Sequence, residues 1–358
     1  MNAYLTGIGV IFSLEMRQRV RSLAWYILLG VYVVLILLVT VILALTLGAY
    51  QSRGSNEAGN AIYSTVIYFV LLLGTLVAPA LSGNSINGDR DAGTLATTQV
   101  TLVTTGQLVL GKFLAAWVTA LAFLAASVPF LIYAGFAGHL TVGATAVSLL
   151  VLAVELGVVA AMGVGLSGLI SRPLFSIVTT YLVVAALTVG TLIAFALGGL
   201  VVQSRQTTIY TGGTDTAQYD DQGRASACNP PVTQVQTIPR YDRVWGLLVA
   251  NPYVLLADAV PTSYDTSGEQ PVDLFGQLKF AERSAQIAPR VQQTIDECSA
   301  GYGASQASPT PRHVIDSTTP GWAVGMLAQL VLAAEALLGA WRRLRTPAGR
   351  LSKGTRIA

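Results

Sequence analysis

Leu23-Ala-Trp-Tyr-Ile-Leu-Leu-Gly-Val-Tyr-Val-Val-Leu-Ile-Leu-Leu-Val-Thr-Val-Ile-Leu-Ala-Leu-Thr-Leu-Gly48 runs without a single charged side chain. About 20 apolar residues suffice for a helix to cross the hydrocarbon core of a bilayer, so this stretch reads as a membrane span. Five more runs of the same kind follow, at 61–82, 111–135, 142–168, 173–201 and 320–341. The composition agrees: 53% of the 358 residues are hydrophobic and only 11% charged, against about a quarter charged in soluble domains. The expected fold class is an all-α polytopic membrane protein with six transmembrane helices. The first run is too long for the apolar core of a signal peptide, so it is expected to act as an uncleaved signal anchor. Lys112, Lys279 and Lys353 are the only lysines. Such an arginine bias is common in GC-rich bacteria and points to a bacterial plasma membrane.

Lys and Arg flanking the spans set orientation. Arg17, Arg19 and Arg21 precede the first span, and Arg342, Arg343, Arg345, Arg350, Lys353 and Arg356 follow the last. Arg90, Lys112 and Arg172 lie in loops on the same side when the spans number six. Both termini are therefore expected in the cytoplasm. The segment 202–319 then faces out. It holds twelve Asp/Glu against eight Lys/Arg, with no positive excess, and contains both cysteines, Cys228 and Cys298. An oxidising compartment permits a disulfide between them; two buried free thiols are the alternative. Within this segment, 241–260 is apolar but broken by Asn251-Pro252, which interrupts a single helix. A re-entrant element and the core of a small outer domain both fit it. Residues 274–297 read as helix; 203–237 and 299–319 read as loops.

Enzymatic signals are poor, and the chain is not expected to be an enzyme. The only histidines, His139 and His313, fall in expected outer loops, which leaves no metal site and no histidine base among the spans. Gly165-Leu-Ser167-Gly168 matches the G-x-S-G of intramembrane serine proteases, but spans five and six hold no histidine to pair with it; small residues at helix contacts explain it better. Gly106-Gln-Leu-Val-Leu-Gly111-Lys112-Phe113 matches G-x-x-x-x-G-K but places Phe where a phosphate-binding loop needs Ser or Thr. Two carboxylates fall inside spans. Glu155, near the middle of the fourth, is the candidate membrane-pathway residue, because an acid there needs a protein interior or a water cavity. Glu335, towards the inner end of the sixth, is expected to pair with Arg342 or Arg343. Ahead of the first span, Phe12, Met16 and Val20 form an apolar stripe among arginines, as in a basic helix lying on the inner membrane surface.

The most informative loop lies between spans two and three: Ile86-Asn-Gly-Asp89-Arg90-Asp91-Ala-Gly93-Thr94-Leu95, followed by Gly111-Lys112. It resembles the loop pattern of the membrane (permease) subunits of type-2 ABC transporters: acidic-Arg-acidic-x-Gly-Thr-Leu, then Gly-Lys at the third span. Ser167-Gly-Leu-Ile-Ser171-Arg172 resembles the turn before that family's fifth span. The family's mid-loop Thr-Pro pair is missing; Thr97, Thr98, Gln99 and Leu102 stand in that part of the loop. The resemblance covers the membrane region, about two-thirds of the chain, and not 203–319.

It implies a cytoplasmic amphipathic elbow helix (1–22), five spans within 23–201 with a coupling loop at 83–110, an extracytoplasmic segment (202–319), a sixth span (320–341) and a basic cytoplasmic tail (342–358). It implies that Asp89, Arg90, Asp91, Gly93, Thr94 and Leu95 dock an ATPase. ATP and magnesium would be bound by that separate ABC ATPase, with no cofactor in this chain. A second permease, a copy or a paralogue, would complete the assembly in the lipid bilayer, and no nucleic acid is involved. The expected function is export of an amphipathic or hydrophobic substrate. The alternative is a signalling or scaffold protein that relays an extracytoplasmic signal.

Overall fold

The computed structural model describes residues 2–51, 57–94, 103–138, 141–214, 217–218, 225–298 and 309–345. Leu95, Thr97, Thr98, Gln99, Leu102 and His139, together with the tail beyond Arg345, lie outside them. Six helices are long and apolar enough to cross a membrane, in the segments Leu23–Thr46, Gly59–Asp91, Thr105–Phe136, Val142–Leu169, Pro173–Val201 and Trp322–Leu344.

In chain order the elements begin with α1 (Asn2–Arg21), α2 (Leu23–Gln51), α3 (Glu57–Ser82), a one-turn helix α4 (Asn87–Asp91), α5 (Thr105–Gly138) and α6 (Val142–Leu169). The fifth span is two helices, α7 (Pro173–Ala185) and α8 (Thr191–Val201), joined by a π-helical turn at Ala186–Gly190. Then come β1 (Gln203–Thr211), β2 (Val232–Pro239), α9 (Pro252–Ala259), α10 (Leu274–Ala285), β3 (Gln292–Asp296), α11 (Pro311–Ser317) and α12 (Trp322–Leu344).

The spans are unequal in environment. Those built on α3, α5 and α6 form the interior, and those on α2, α7–α8 and α12 lie at the edge. The core runs through Tyr63, Ile67, Leu71, Phe123, Leu152 and Leu156 and continues into Leu255, Leu256 and Phe275 of α9 and α10. Helix α12 comes close to α6 because glycines face it. A Cβ at Gly165 would lie 2.5 Å from the Ala336 carbonyl carbon, and one at Gly168 would lie 2.5 Å from the Ala340 Cβ. Close backbone approach at small residues is how helices gain contact in lipid, where burial of apolar surface drives nothing.

The segment between spans five and six departs from the all-α expectation. It holds a three-stranded sheet of order β2-β1-β3, antiparallel for β1–β2 and parallel for β1–β3. Within 203–237, expected as loop, residues 203–211 and the first six residues of the strand 232–239 are strand. The helix expected over 274–297 ends at Ala285, and Gln292–Asp296 is a strand. Residues 311–317, also expected as loop, are helical. The strands are rich in Thr and Gln, β2 is largely exposed, and the residues β1 buries are Gln206 and Thr208, so they lack the apolar alternation that marks a half-buried strand.

Asn251-Pro252 does interrupt the apolar stretch. The Asn251 carboxamide oxygen caps α9 by accepting from Tyr253 N (2.9 Å) and Val254 N (3.4 Å). Its Nδ2 donates to Thr188 O (2.6 Å) in the π-turn and to Thr191 Oγ1 (2.9 Å). A π-turn offsets the backbone ladder, and here the Thr188 carbonyl accepts from that side chain. Residues 252–259 therefore belong to a packed core, shared with the ends of the spans.

Helix α1 (Asn2–Arg21) packs on the start of span three along one edge. Ile11, Glu15 and Arg19 are its inward residues, while Val20 is exposed. Gly7 meets Gln107 and Ile11 meets Gly111, Glu15 pairs with Lys112, and Arg19 donates to Thr119 Oγ1 (3.2 Å). The partners advance along both helices together, so α1 leans along the start of span three. Phe12 and Met16 are half-buried beside this edge, and the polar pairs, which are costly to leave unmet, decide which edge turns inward.

Candidate functional site

The turn after span two is built onto the end of span four. Helix α4 begins with N–H groups that have no partner within the helix, and Ser167 on α6 supplies one. Its buried Oγ accepts from Ile86 N (3.0 Å) and Asn87 N (3.1 Å). Asn87 is buried too; its Nδ2 donates to Ile170 O (2.7 Å), and its Oδ1 accepts from Arg90 Nη1 (2.6 Å). Helix α4 stops at Gly93, whose φ of 69° is the left-handed conformation common just past a helix end. There Gly93 N donates to Arg90 O (3.1 Å) and Thr94 Oγ1 to Asp89 O (3.2 Å).

Lys112 ties this turn to two other elements. It is 1% exposed, and its ammonium has three donors to place. One goes to Asp89 Oδ2 of α4 (2.7 Å), one to Ser85 O (2.8 Å), and one to Glu15 of α1. Arg19 lies within electrostatic reach of Glu15. The group thus balances two acids against two bases, and removing one member would strand a buried charge.

Asp89, Arg90, Gly93 and Thr94 are brought together as the sequence suggests, and Asp91, Gly93 and Thr94 are exposed. Asp89 and Arg90 are directed inward, to Lys112 and Asn87. Neither Lys112 nor Glu15 was singled out from sequence for this role. Both left a signal: a lone lysine opening a span needs a counter-charge, and Glu15 is the only acid before Glu57. The two sequence decoys resolve structurally. Ser167 caps α4, and Lys112 is occupied by carboxylates inside a helix.

Glu155 is 2% exposed, on the α6 face that meets α12. The Gln329 side chain of α12 lies near its carboxyl, and Gln329 Nε2 donates to Ala250 O (3.0 Å). The acid therefore faces protein. Glu335 does not pair with Arg342 or Arg343. It is exposed and forms no ion pair or hydrogen bond among the described residues, because seven residues along a helix amount to about 10 Å.

A second buried charge cluster sits at the opposite end of the bundle. Asp258 on α9 accepts from Arg283 Nη2 (2.7 Å) with Oδ1 and from Gly321 N (2.8 Å) and Trp322 N (2.9 Å) with Oδ2. It thereby caps α12 from another element. Arg283 also donates to Thr318 O (2.7 Å), and Lys279 Nζ to Val260 O (2.7 Å). Burial raises Glu282 to about 7 despite Gln286 Nε2 donating to it (2.9 Å). Burial raises Asp273 to about 6 and pushes Lys279 down. Cys228 and Cys298 form a disulfide with a Cα–Cα distance of 5.6 Å, which links the stretch just before β2 to the end of β3.

Among the described residues no group of His, Cys, Asp and Glu is arranged to hold a metal ion. The chain matches no protein-family model, and it matches no curated protein.

Proposed function

We propose that this chain is the membrane-spanning permease subunit of an ATP-driven ABC transporter, working as an exporter of an amphipathic or hydrophobic substrate. The observation that carries the reading is the anchoring of α4. A short charged turn is tied by Lys112 to α1 and span three, and by Ser167 to span four, while Asp91–Thr94 remain exposed. A loop held at three points with an exposed polar face suits the transfer of force from a soluble partner to several spans at once. In this reading α1 is the elbow and 83–110 the coupling loop. Both termini are cytoplasmic, and 202–319 is extracytoplasmic in a bacterial plasma membrane. The disulfide supports that side for 202–319, since such bonds persist in oxidising compartments. ATP and magnesium reside on a separate ATPase, and a second permease completes the assembly. Glu155, at the α6–α12 contact, is the pathway candidate.

The test uses Asp91, which is exposed on the docking face. Asp91→Lys should lower co-purification of the ATPase in mild detergent about tenfold, with span insertion and the Cys228–Cys298 bond unchanged. Tenfold corresponds to about 1.4 kcal/mol, as expected for a charge at an interface rim. Equal retention in wild type and variant would remove the docking assignment. A wild-type chain that brings down no ATPase would overturn the transporter reading and favour the signalling alternative.

A further inference from the structure

Glu335 is the fourteenth residue of the 23-residue helix α12. At 1.5 Å per residue it lies about 9 Å from Trp341 and about 20 Å from Trp322, well inside the span. Its side chain is exposed and makes no hydrogen bond or ion pair among the described residues. Around it, Val324, Leu327, Val331 and Leu338 are exposed apolar residues on the same side of α12, with the small Ala328 and Ala334 between them. A carboxylate facing hydrocarbon costs on the order of 2–3 kcal/mol or more, so such groups face protein or water. The nearer end of the span offers no escape, because side chains on a helix lean towards its N-terminus. Glu335 therefore leans away from Trp341 and the arginines beyond it.

We infer that this face of α12 docks a transmembrane helix of a different chain, one that presents an Arg or Lys at the depth of Glu335. Charge complementarity selects the occupant. Two copies of this chain, related by an axis along the bilayer normal, would bring Glu335 against Glu335, a like-charge contact. Nor do the described spans offer a cation for it: Lys112 is committed to Glu15 and Asp89, and Arg342 and Arg343 lie about 10 Å or more along α12 on the side from which Glu335 leans away. The small residues let a partner backbone approach, and a guanidinium or ammonium would supply the missing hydrogen bonds. The inference rests on the six-span architecture and is independent of the transporter reading.

The experiment places a photo-crosslinking benzoylphenylalanine at Leu338 in the full-length chain in its native membrane. With Glu335 intact, irradiation should give one discrete adduct. Mass spectrometry should place it in a transmembrane segment with Arg or Lys within one turn of the crosslinked residue. Glu335→Lys should reduce the adduct at least tenfold, and Glu335→Gln, which still accepts a hydrogen bond, should retain part of it. Purified without partners, wild type and Glu335→Lys should melt at the same temperature, since Glu335 forms no ion pair or hydrogen bond among the described residues. Adducts with lipid alone, with α12 of a second copy, or with a segment lacking a basic residue would each overturn the inference. A lower melting temperature for the isolated Glu335→Lys chain would do the same.

Discussion

The two ends of the bundle each bury a charge cluster, and they are balanced differently. At the α4 end, Glu15 and Asp89 stand against Lys112 and Arg19, and the lysine ammonium has an acceptor for each donor. At the β-sheet end, Asp258, Asp273 and Glu282 stand against Lys279 and Arg283, and two of the acids have pKa values pushed up by burial. A matched cluster fixes geometry because each charge has its partner. An over-acidic one changes protonation within the physiological range and so reports on its surroundings. The same device, buried ion pairs joining a peripheral element to a span, yields a rigid joint at one end and a titrating joint at the other.

The sharpest way to break that contrast is Lys112→Met. It keeps the length and the apolar stem but removes the cation between Glu15 and Asp89, leaving Arg19 as the one base of the cluster. Loss of one partner from a buried ion cluster costs about 3–5 kcal/mol. The expected outcome is a large drop in the melting temperature of the purified chain and protease sensitivity at 83–94. A loss under about 1 kcal/mol would mean that α1 and α4 are not held through this lysine.

The titrating end is tested by pH. Glu282 has a folded pKa of about 7, above its usual 4.5. The stability this gives is fully present below 4.5 and is lost as pH rises through about 7. Asp273, at about 6, acts in the same direction from its ordinary 3.8. Thermal unfolding followed at the β-sheet end should therefore be more stable at pH 5 than at pH 8. The Glu282 share has a ceiling of about 3 kcal/mol. Glu282→Gln, neutral at every pH, should flatten most of that slope. An unchanged slope in the variant would move the titration elsewhere.

The smallest effect separates hydrogen bonding from charge at the α4 end. Ser167→Ala removes the acceptor for two buried N–H groups, each worth about 1 kcal/mol. Hydrogen exchange at Ile86 and Asn87 should quicken by about tenfold while the Lys112 cluster persists. Unaltered exchange would show that α4 is held by its charges alone.

The membrane region was legible because its signal is simple: long uncharged runs give spans whatever their neighbours, and the six runs fall within a few residues of the six helices. The charged turn was legible as a unit through Asp89, Arg90 and Gly93. Which of its charges point inward was not, because Lys112 and Glu15 lie 97 residues apart and only the packing of α1 on α5 joins them. The sheet was missed for a different reason. Thr207, Gln234 and Gln236 occupy strand positions with little apolar alternation, and β1 pairs with β3 from 85 residues away. The disulfide was left open by spacing and is supplied by that same pairing. Glu335 was misjudged because a helical repeat sets Arg342 on its side of the helix but beyond its reach.

The cap on α12 has a mechanical consequence. Asp258 holds the first residues of the last span through two N–H groups, and Arg283 grips the strand of chain leading into it at Thr318. Some 20–30 Å further along, Ala336 and Ala340 sit against Gly165 and Gly168 of α6, next to the serine on which α4 is hung. The last span is therefore clamped near both ends, like a tie-rod between two plates. Sliding it along its axis means breaking the Asp258 clamp or carrying α9 with it, and at the far end it means moving alanine methyls over glycines with no room to spare. A displacement that begins in the β-sheet unit reaches the α4 turn as motion of one stiff piece.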